Sequence, residues 1–240
     1  TWPVAFNPSN LVMNIGNDES QVIFVWYNQT ATPDSMVFGG QHYVAATEEA
    51  NQGGYTINRV VINNLQPNTD YTYYIENGDD ATQAYSYSTG DFTSNALDIA
   101  VVGDPQIGSS GDNESDTNGW NETLDTITTD GTDYDFLFSL GDQIDTYYNG
   151  ENGDAVEAEY DGFLSSDKLA GLPLATLVGN HDNGNNAALY TDHFAHPNVS
   201  SYGESLSTGT GDYYFTYNDV LFMVLNTSNL SIAEHKAFME

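Results

Sequence analysis

Three stretches of the chain share one pattern, in which an apolar run is followed by a glycine and a polar side chain. Residues 97–106 read LDIAVVGDPQ, residues 135–145 read DFLFSLGDQID, and residues 174–182 read LATLVGNHD. Short apolar runs that alternate with helical patterns are typical of parallel strands in βαβ units. The pattern therefore predicts an α/β fold, with strands over residues 97–102, 135–140 and 174–178.

The segments between and after these runs complete the predicted α/β part. Apolar residues at helical spacing indicate one helix over residues 120–128 and a second over residues 154–169. Residues 213–217 and 220–225, joined by Asn218-Asp219, are expected to form a hairpin, and a last helix begins near Ile232.

Each predicted strand is followed by an oxygen donor, namely Asp104, Asp142 or Asn180. The carboxyl ends of parallel strands lie at one edge of a sheet, where open α/β folds build their sites. Such oxygens bind divalent cations, and a carboxylate shared by two cations holds them about 3.5–4 Å apart. A single Gly-Asp pair is more often a turn, and a single histidine such as His181 more often has a structural role. Three such signals in succession predict a metal site.

Residues 1–94 have β patterning throughout and predict an all-β sandwich. Trp26 lies in an apolar run and is the expected core anchor. Residues 65–71 read LQPNTDY, which is similar to the corner of fibronectin type III domains where a tyrosine hydroxyl bonds back to the backbone; Tyr71 would take that place. The expected strands cover residues 10–15, 21–27, 35–38, 56–62, 71–76 and 84–92.

The charge of the chain argues against two classes of partner and suggests where the protein works. Its 240 residues contain 35 Asp plus Glu against 3 Lys plus Arg, for a net charge of -32. Such a chain repels nucleic acids and anionic membranes, and without cysteine it has no disulfides and no thiol chemistry. The acidity suggests a secreted or cell-surface protein, either in a saline setting that screens the self-repulsion or simply an acidic one. The chain opens TWPVAF with no basic leader, so any signal peptide is expected to have been removed.

The order GDPQ, GDQID and GNHD resembles the calcineurin-like metallophosphoesterases. With a fibronectin-like part in front, the chain is similar to the purple acid phosphatase branch, and residues 109–124, 159–164, 190–203 and 211–226 extend the likeness. The resemblance implies a fibronectin type III-like domain over residues 1–94. It implies the N-terminal portion of an α/β metallophosphoesterase domain over residues 95–240.

The resemblance also implies roles for single residues. Asp104 would bind a first metal ion, Asp142 would bridge two, and Asn180 would bind the second. The ions would be divalent or trivalent, from among Fe, Mn, Zn and Mg. A metal-bound hydroxide would attack a phosphate monoester or diester in line, while His181 would contact the phosphoryl group or assist the leaving group.

Two positions depart from the family pattern. The purple branch has a tyrosine three residues after the bridging aspartate, whereas this chain has Asp145, which argues against the iron–phenolate colour and a preference for Fe(III). Gln106 stands where many metallophosphoesterases have a histidine. We expect Gln106, Asp145 and Asp182 to be weak ligands or to hydrogen-bond to the ligands.

The family also uses metal-binding histidines that this chain does not contain. His42 lies in the β part, His193 and His196 lie in a stretch with a structural use, and His235 is expected to face solvent. The chain is therefore expected to be a fragment with one sheet face uncovered. As such it would bind metal poorly, hydrolyse little and could self-associate.

Two other functions fit parts of the sequence. The chain could be an extracellular structural, assembly or cell-surface protein that kept the scaffold without catalysis. It could also be a calcium-dependent adhesive module. Glu114-x-Asp116-x-Asn118-Gly119, with Asp125 six residues after the glycine, imitates a calcium-loop spacing, although a solvated acidic loop is the simpler interpretation.

Overall fold

A computed structural model describes residues 6–30, 32–94, 96–204 and 209–240. Asn95, where we place the domain boundary, lies outside the described residues, and the division at this point stays a prediction. Within the described ranges, no helix combines the length and the apolar composition that crossing a bilayer requires.

The described residues up to position 94 form strands and turns, as the β patterning predicted. The strands β4 and β5 were missed because QHYV and ATEE are short, mostly exposed and lack apolar alternation. The strands are β1 (Ser9–Ile15), β2 (Val22–Asn28), β3 (Ser35–Phe38), β4 (Gln41–Val44), β5 (Ala46–Glu49), β6 (Thr56–Ile62), β7 (Asp70–Asn77), β8 (Asp80–Ala81) and β9 (Tyr85–Ser88).

The rest of the chain alternates strands with helices and then forms a hairpin, as predicted. Its elements are β10 (Ile99–Val102), α1 (Asn113–Thr129), β11 (Phe136–Ser139), α2 (Gly153–Phe163), a 3-10 helix (Asp167–Ala170), β12 (Leu174–Thr176), α3 (Gly184–His193), β13 (Tyr213–Tyr217), β14 (Val220–Val224) and α4 (Ile232–Met239).

Two helix boundaries differ from the prediction for reasons of capping. Helix α1 begins at Asn113 rather than near position 120, because the Asp112 side chain accepts a hydrogen bond from the Ser115 amide. Helix α2 ends at Phe163 rather than at position 169. The Ser166 hydroxyl then caps the separate 3-10 helix by accepting from the Lys168 amide.

One seven-stranded sheet runs through both parts of the chain, in the order β10-β11-β12-β1-β2-β6-β5. Strands β10, β11 and β12 are parallel, and β1 pairs with β12 in parallel at Asn14 and Leu174. A second sheet has the order β4-β3-β7-β8, with β9 also paired to β7. The pairing of β1 with β12 has no local sequence signal, since the two strands are far apart in the chain.

The first core lies around Trp26, between the two sheets. Trp26 is fully buried with Met13, Phe24, Met36 and Tyr73. Its indole Nε1 donates to Oδ2 of Asp34 at 2.8 Å. At the edge of this core, the Tyr71 hydroxyl accepts a hydrogen bond from the Gln66 amide at 2.8 Å, a bond from tyrosine back to backbone five residues upstream.

Both faces of the parallel strands are covered. Helices α1, α2 and α3 cover one face, where Trp120 stacks on Phe163 at 5.1 Å. The β13–β14 hairpin covers the other through Phe215, which packs edge-on against Phe136 of β11. The expectation of an uncovered sheet face is therefore wrong for β11 and β12. The exposed apolar side chains lie one layer further out, on the hairpin itself: Tyr214, Val220, Leu221 and Met223.

Candidate functional site

The structure places the three predicted donors just beyond the carboxyl ends of three adjacent strands. Asp104 follows β10, Asp142 follows β11 and Asn180 follows β12. The register aligns the strand ends, because Val102 pairs with Ser139 and Ser139 pairs with Thr176. The parallel order predicted from the apolar runs thus positions all three loops at one edge of the sheet.

Backbone hydrogen bonds join the loops after β10 and β11. The Gln106 amide donates to the Asp142 carbonyl at 2.9 Å, and the Asp145 amide donates to the Ile107 carbonyl at 2.9 Å. Ile107 and Ile144 form a parallel bridge between the loops. Gln106 therefore meets Asp142 through its main chain, which a sequence pattern cannot reveal.

The loops after β11 and β12 touch at the glycines that precede Asp142 and Asn180. A Cβ atom on Gly179 would lie 2.0 Å from Oδ1 of Asp142, and one on Gly141 would lie 2.9 Å from the Cα of Gly179. Only glycine permits this approach. Gly103, which precedes Asp104 in the same way, has no such constraint, since an added Cβ meets nothing within 4 Å.

Three residues of these loops adopt left-handed backbone conformations. The φ angles are 49° at Asp104, 39° at Gln106 and 48° at Asp142. Non-glycine residues in this region are uncommon, and such conformations cluster at functional sites. The strained positions include two of the predicted donors.

Asp182 hydrogen-bonds to residues of the loops after β11 and β12. It is 3% exposed, and its carboxylate accepts from the amides of Gly179 at 2.9 Å and Gln143 at 3.2 Å and from the Tyr160 hydroxyl at 3.3 Å. Burial raises the pKa of Asp182 to about 7, and the nearby charge of Asp142 adds to the effect. The structure thus makes Asp182 a residue that hydrogen-bonds to the two loops.

The sequence analysis missed Gln143, although it lies inside the GDQID motif. Gln143 is fully buried, and its amide nitrogen donates to Oγ of Ser139 at 3.1 Å and to the Leu177 carbonyl at 3.2 Å. It therefore links the ends of β11 and β12. Its position between the two aspartates of the motif was the one feature of the sequence that could have identified it.

His181 is oriented by its neighbours. Its backbone amide donates to Oδ1 of Asp142 at 2.9 Å. Its ring Nδ1 donates to the Asp145 carbonyl oxygen, while the Asp145 carboxylate lies 4.0 Å from the same nitrogen. The side chain is 31% exposed, so the ring is accessible at the sheet edge. Asp145 therefore contacts His181 and lies beside the loop that carries Asp142.

Three of the other histidines have roles away from this edge. His42 on β4 is exposed and pairs with Glu76 at 2.9 Å. His193 is fully buried and pairs with Glu157 at 2.8 Å. Nε2 of His196 lies 2.9 Å from the Thr176 hydroxyl, and burial lowers the pKa of this imidazole to about 4.

His235 does not face solvent as expected. Its side chain is only 13% exposed, with Nδ1 donating to the buried carboxylate of Asp212 at 2.7 Å and Nε2 donating to the Asn229 carbonyl at 2.8 Å. The Asp212 hydrogen bond and the Asn229 carbonyl raise the pKa of His235. The error arose because helix patterning alone did not show that Asp212 lies beside this turn of α4.

The calcium-loop hypothesis is wrong. Glu114, Asp116, Asn118 and Gly119 are turns of helix α1, so they do not form a loop around a cation. The Asp116 carboxylate accepts from the amides of Gly108 at 3.0 Å and Ser110 at 3.1 Å. These bonds lower the pKa of Asp116, with the Ser110 contacts as the main cause.

A cavity of about 460 Å³ opens beside Asp104, between the end of β10 and helix α1. Asp104 is exposed there, and Ser115, Gly119 and Trp120 contribute from the helix. The cavity provides room next to the first donor.

The predicted donors are chemically suited to a metal ion. Asp104 and Asp142 supply carboxylates and Asn180 an amide, a set that suits a hard divalent cation with water in its remaining positions. In the part of the chain that the structure describes, no three His, Cys, Asp or Glu side chains form a group that could hold a metal ion. These residues alone do not complete a two-metal centre.

The fold is similar to those of two solved structures. The purple acid phosphatase PPD1 isolated from yellow lupin (Lupinus luteus) seeds has a similar structure, with a TM-score of 0.69 and 17% identity over 98% of this chain and 48% of that chain. PhoD is also similar, with a TM-score of 0.60 and 15% identity over 90% of this chain and 51% of that chain. This chain spans about half the length of these structures. No protein-family model and no curated protein matched the sequence.

Proposed function

We propose that this chain carries the strand-edge site of a metal-dependent phosphoric ester hydrolase. The observation that carries the proposal is the 2.9 Å bond from the His181 amide to the Asp142 carboxylate. It supports the proposal because it joins the loop that carries Asn180 and His181 to the Asp142 carboxylate, on a fold similar to that of a purple acid phosphatase. The substrate class is a phosphate monoester or diester.

Asp104, Asp142 and Asn180 would hold the metal, and Asp142 has the central position among them. Its loop is tied to the Asp104 loop through Gln106 and to the Asn180 loop through His181. A bound divalent cation would polarise a phosphoryl oxygen and offset the charge that develops in the transition state. A centre of two ions, as the family resemblance implies, needs ligands in addition to those described.

His181 would act on the phosphate ester directly. A carbonyl oxygen can only accept a hydrogen bond, so the contact with Asp145 places a proton on Nδ1. Nε2 would then contact the phosphoryl group or the leaving-group oxygen when it too carries a proton, since both of these oxygens accept hydrogen bonds. Gln106 is a weaker candidate, whose side-chain amide could hydrogen-bond to a ligand or to substrate.

Asp145 bears on the choice of metal. It occupies the position where a phenolate would coordinate iron(III), and its carbonyl is already engaged by His181. A site of carboxylates and an amide favours hard cations such as Mg²⁺ or Mn²⁺. We therefore propose Mg²⁺ or Mn²⁺ ahead of Fe and Zn.

The net charge of -32 indicates the environment in which the protein works. An acidic chain repels a phosphate ester unless a cation reverses the local potential or salt screens the rest. We propose that the protein works outside the cell or at its surface, in a saline medium, and binds neither nucleic acid nor membranes.

The division into domains is also proposed. The core around Trp26 and the bond from Gln66 to Tyr71 support a fibronectin type III-like domain over residues 1–94. The continuous sheet through β1 and β12 means that such a domain would share strands with the α/β domain over residues 95–240.

The alternative is a non-catalytic extracellular structural or assembly protein built on the same scaffold. The absence of a complete ligand group among the described side chains favours it. The two proposals differ in whether a cation bound at Asp142 supports turnover.

Turnover of p-nitrophenyl phosphate and bis(p-nitrophenyl) phosphate with added Mn²⁺ or Mg²⁺ tests the proposal. We expect Asp142→Asn to lower the rate by about 100-fold or more, as does the loss of one transition-state stabilising group. Asp133→Asn is the matched control, since Asp133 is exposed near the opposite, amino end of β11. Equal turnover in the two variants would remove Asp142 from the site. Absence of metal-dependent turnover in the unmodified chain would favour the non-catalytic alternative.

A further inference from the structure

Glu159 of helix α2 is a buried carboxylate that contacts the loop after β11. It is 4% exposed. Its Oε2 accepts from the amides of Asp145 at 3.1 Å and Thr146 at 2.8 Å, and its Oε1 accepts from the Thr146 hydroxyl at 2.6 Å. Three donors from two consecutive residues therefore converge on one side chain.

The same carboxylate also touches the loop after β10. A Cβ atom on Gly108 would lie 2.4 Å from Oε1 of Glu159. Glu159 thus lies against both loops, next to the place where Ile107 and Ile144 form their bridge. Its contacts are with the backbone behind the site, and none is with the predicted metal donors.

One residue connects Glu159 to the imidazole at the sheet edge. Asp145 gives its amide to Glu159 and its carbonyl oxygen to Nδ1 of His181. The position of the Asp145 carbonyl therefore depends on where Glu159 holds the Asp145–Thr146 backbone. Which ring nitrogen of a histidine carries the proton is set by the hydrogen bond that the other makes.

We propose that Glu159 is a positioning residue that fixes His181 as its Nδ1–H tautomer, by holding the Asp145 carbonyl against the ring. The inference rests on the proposed function for its purpose, since it leaves Nε2 as the ring nitrogen that can take up a proton and donate it to a phosphate ester. Its geometry stands independently of whether phosphate esters are hydrolysed.

The chemistry of the carboxylate shows which substitution tests its role. A carboxylate has acceptors on both oxygens, which match the three donors from Asp145 and Thr146. Glutamine could keep its oxygen on the two amides and turn its NH2 group to the Thr146 hydroxyl, which accepts as well as donates. In Glu159→Leu both acceptors are removed, and the amides of Asp145 and Thr146 lose this partner. The Asp145–Thr146 backbone is expected to move away, and the carbonyl with it.

The neighbouring Glu157 offers an internal comparison. It is also buried on α2, two residues before Glu159, but it pairs with Nε2 of His193 at 2.8 Å. The two glutamates thus each engage a different histidine, one directly and one through a backbone carbonyl. Substituting each by leucine removes the same chemical group from the same helix.

Nitrogen-15 NMR of the imidazole rings tests the proposal in the whole chain without substrate. Spectra are recorded at about pH 8.5, where an unperturbed imidazole is neutral, and the signals of His181 are assigned by their loss in His181→Asn. We expect unmodified His181 to show a protonated Nδ1 and an unprotonated Nε2. In Glu159→Leu the Nδ1–H form of His181 should be lost in favour of Nε2–H, while the signals of His193 are unchanged. In Glu157→Leu the signals of His193 should change, while His181 keeps its Nδ1–H form.

The outcomes separate this proposal from the proposed function. A His181 ring that keeps its Nδ1 proton in Glu159→Leu overturns the inference, whatever the hydrolase assay shows. If all five histidines change together, the fold has been disturbed, and Thr146→Val then decides, since it removes only the hydroxyl donor. A shift confined to His181 in that variant supports the proposal, and an unchanged His181 overturns it. If the His181 tautomer changes as expected but no turnover is detected, the proposed hydrolase function is rejected and the role of Glu159 stands.

Discussion

The backbone amide of His181 donates a hydrogen bond to the side chain of Asp142 at 2.9 Å. One loop of the sheet edge is thereby fastened to the carboxylate of the next. Because Asp142 is also bonded through its carbonyl to the Gln106 amide, it is the residue through which all three loops are connected. The predictions below begin from this connection.

Replacing Gly179 with alanine should damage the site. The added Cβ would lie 2.0 Å from the Asp142 carboxylate, and such overpacking costs about 1–3 kcal/mol of the free energy of unfolding. Urea denaturation and Mn²⁺ titration of the same samples check the effect on stability and affinity.

Gly103→Ala is the matched control for this substitution, because it precedes Asp104 in the same motif position and an added Cβ has open space. It should leave both quantities within about 0.5 kcal/mol of the unmodified protein. Equal losses in the two variants would contradict the proposed contact between the loops.

His196 should make the protein less stable in mild acid. Its pKa is lowered by burial to about 4 in the folded state, against about 6.5 when unfolded. Between these values the unfolded chain binds the proton and the folded one does not, so stability is full above pH 6.5 and falls towards pH 4, by about 3 kcal/mol. The free energy of unfolding measured against pH should lose this slope in His196→Phe and keep it in His42→Gln, which changes an exposed histidine. A slope that survives in His196→Phe would assign it to other groups.

The pair formed by His235 and Asp212 should fasten helix α4. No residue of α4 is buried, so this contact has a large share in holding it. In His235→Ala the Asp212 carboxylate stays buried with one partner fewer, and we expect a loss of about 1–3 kcal/mol at pH 6. Lys236→Ala, at an exposed neighbouring position, is the control.

The pH dependence of this contact has a definite sign. The pKa of His235 is raised in the folded state, so its contribution is present below the usual histidine pKa and is lost as pH rises through the raised value. The protection of the α4 amides against hydrogen exchange, measured relative to the intrinsic exchange rate at each pH, should therefore fall at alkaline pH. Exchange that is equally slow in His235→Ala would show that other contacts hold the helix.

Stability should rise with salt. A net charge of -32 on 240 residues gives strong self-repulsion in the folded state. The Debye length falls from about 10 Å at 0.1 M to about 3 Å at 1 M, so the melting temperature should increase over this range of NaCl. A melting temperature independent of salt would contradict the proposed saline setting.

The sequence predicted the elements whose signals are local. Apolar runs identified β10, β11 and β12, and their ends positioned Asp104, Asp142 and Asn180 at one edge. The bond from Gln66 to Tyr71 joins residues five apart and corresponds to a recognisable short pattern. In each case the residues that make the structure are close together in the chain.

Long-range partners could not be predicted in this way. Some contacts join residues that are distant in the sequence and depend on the tertiary fold. They are the pairing of Asn14 with Leu174, the burial of His235 against Asp212 and the contact of Glu159 with Asp145. A glutamate on a helix has the same pattern whether it is solvated or holds a loop. For that reason Glu159 and Gln143 were found only from their hydrogen bonds.

The most direct test of the central claim is where Mn²⁺ binds. Paramagnetic broadening of amide signals should be measured in about 1 M NaCl, which screens diffuse attraction to the acidic surface. We predict broadening centred on residues 103–106, 141–143 and 179–182, which is lost in Asp142→Asn and kept in Asp133→Asn. Broadening spread over the acidic surface, and unchanged in Asp142→Asn, would contradict a metal site at this edge.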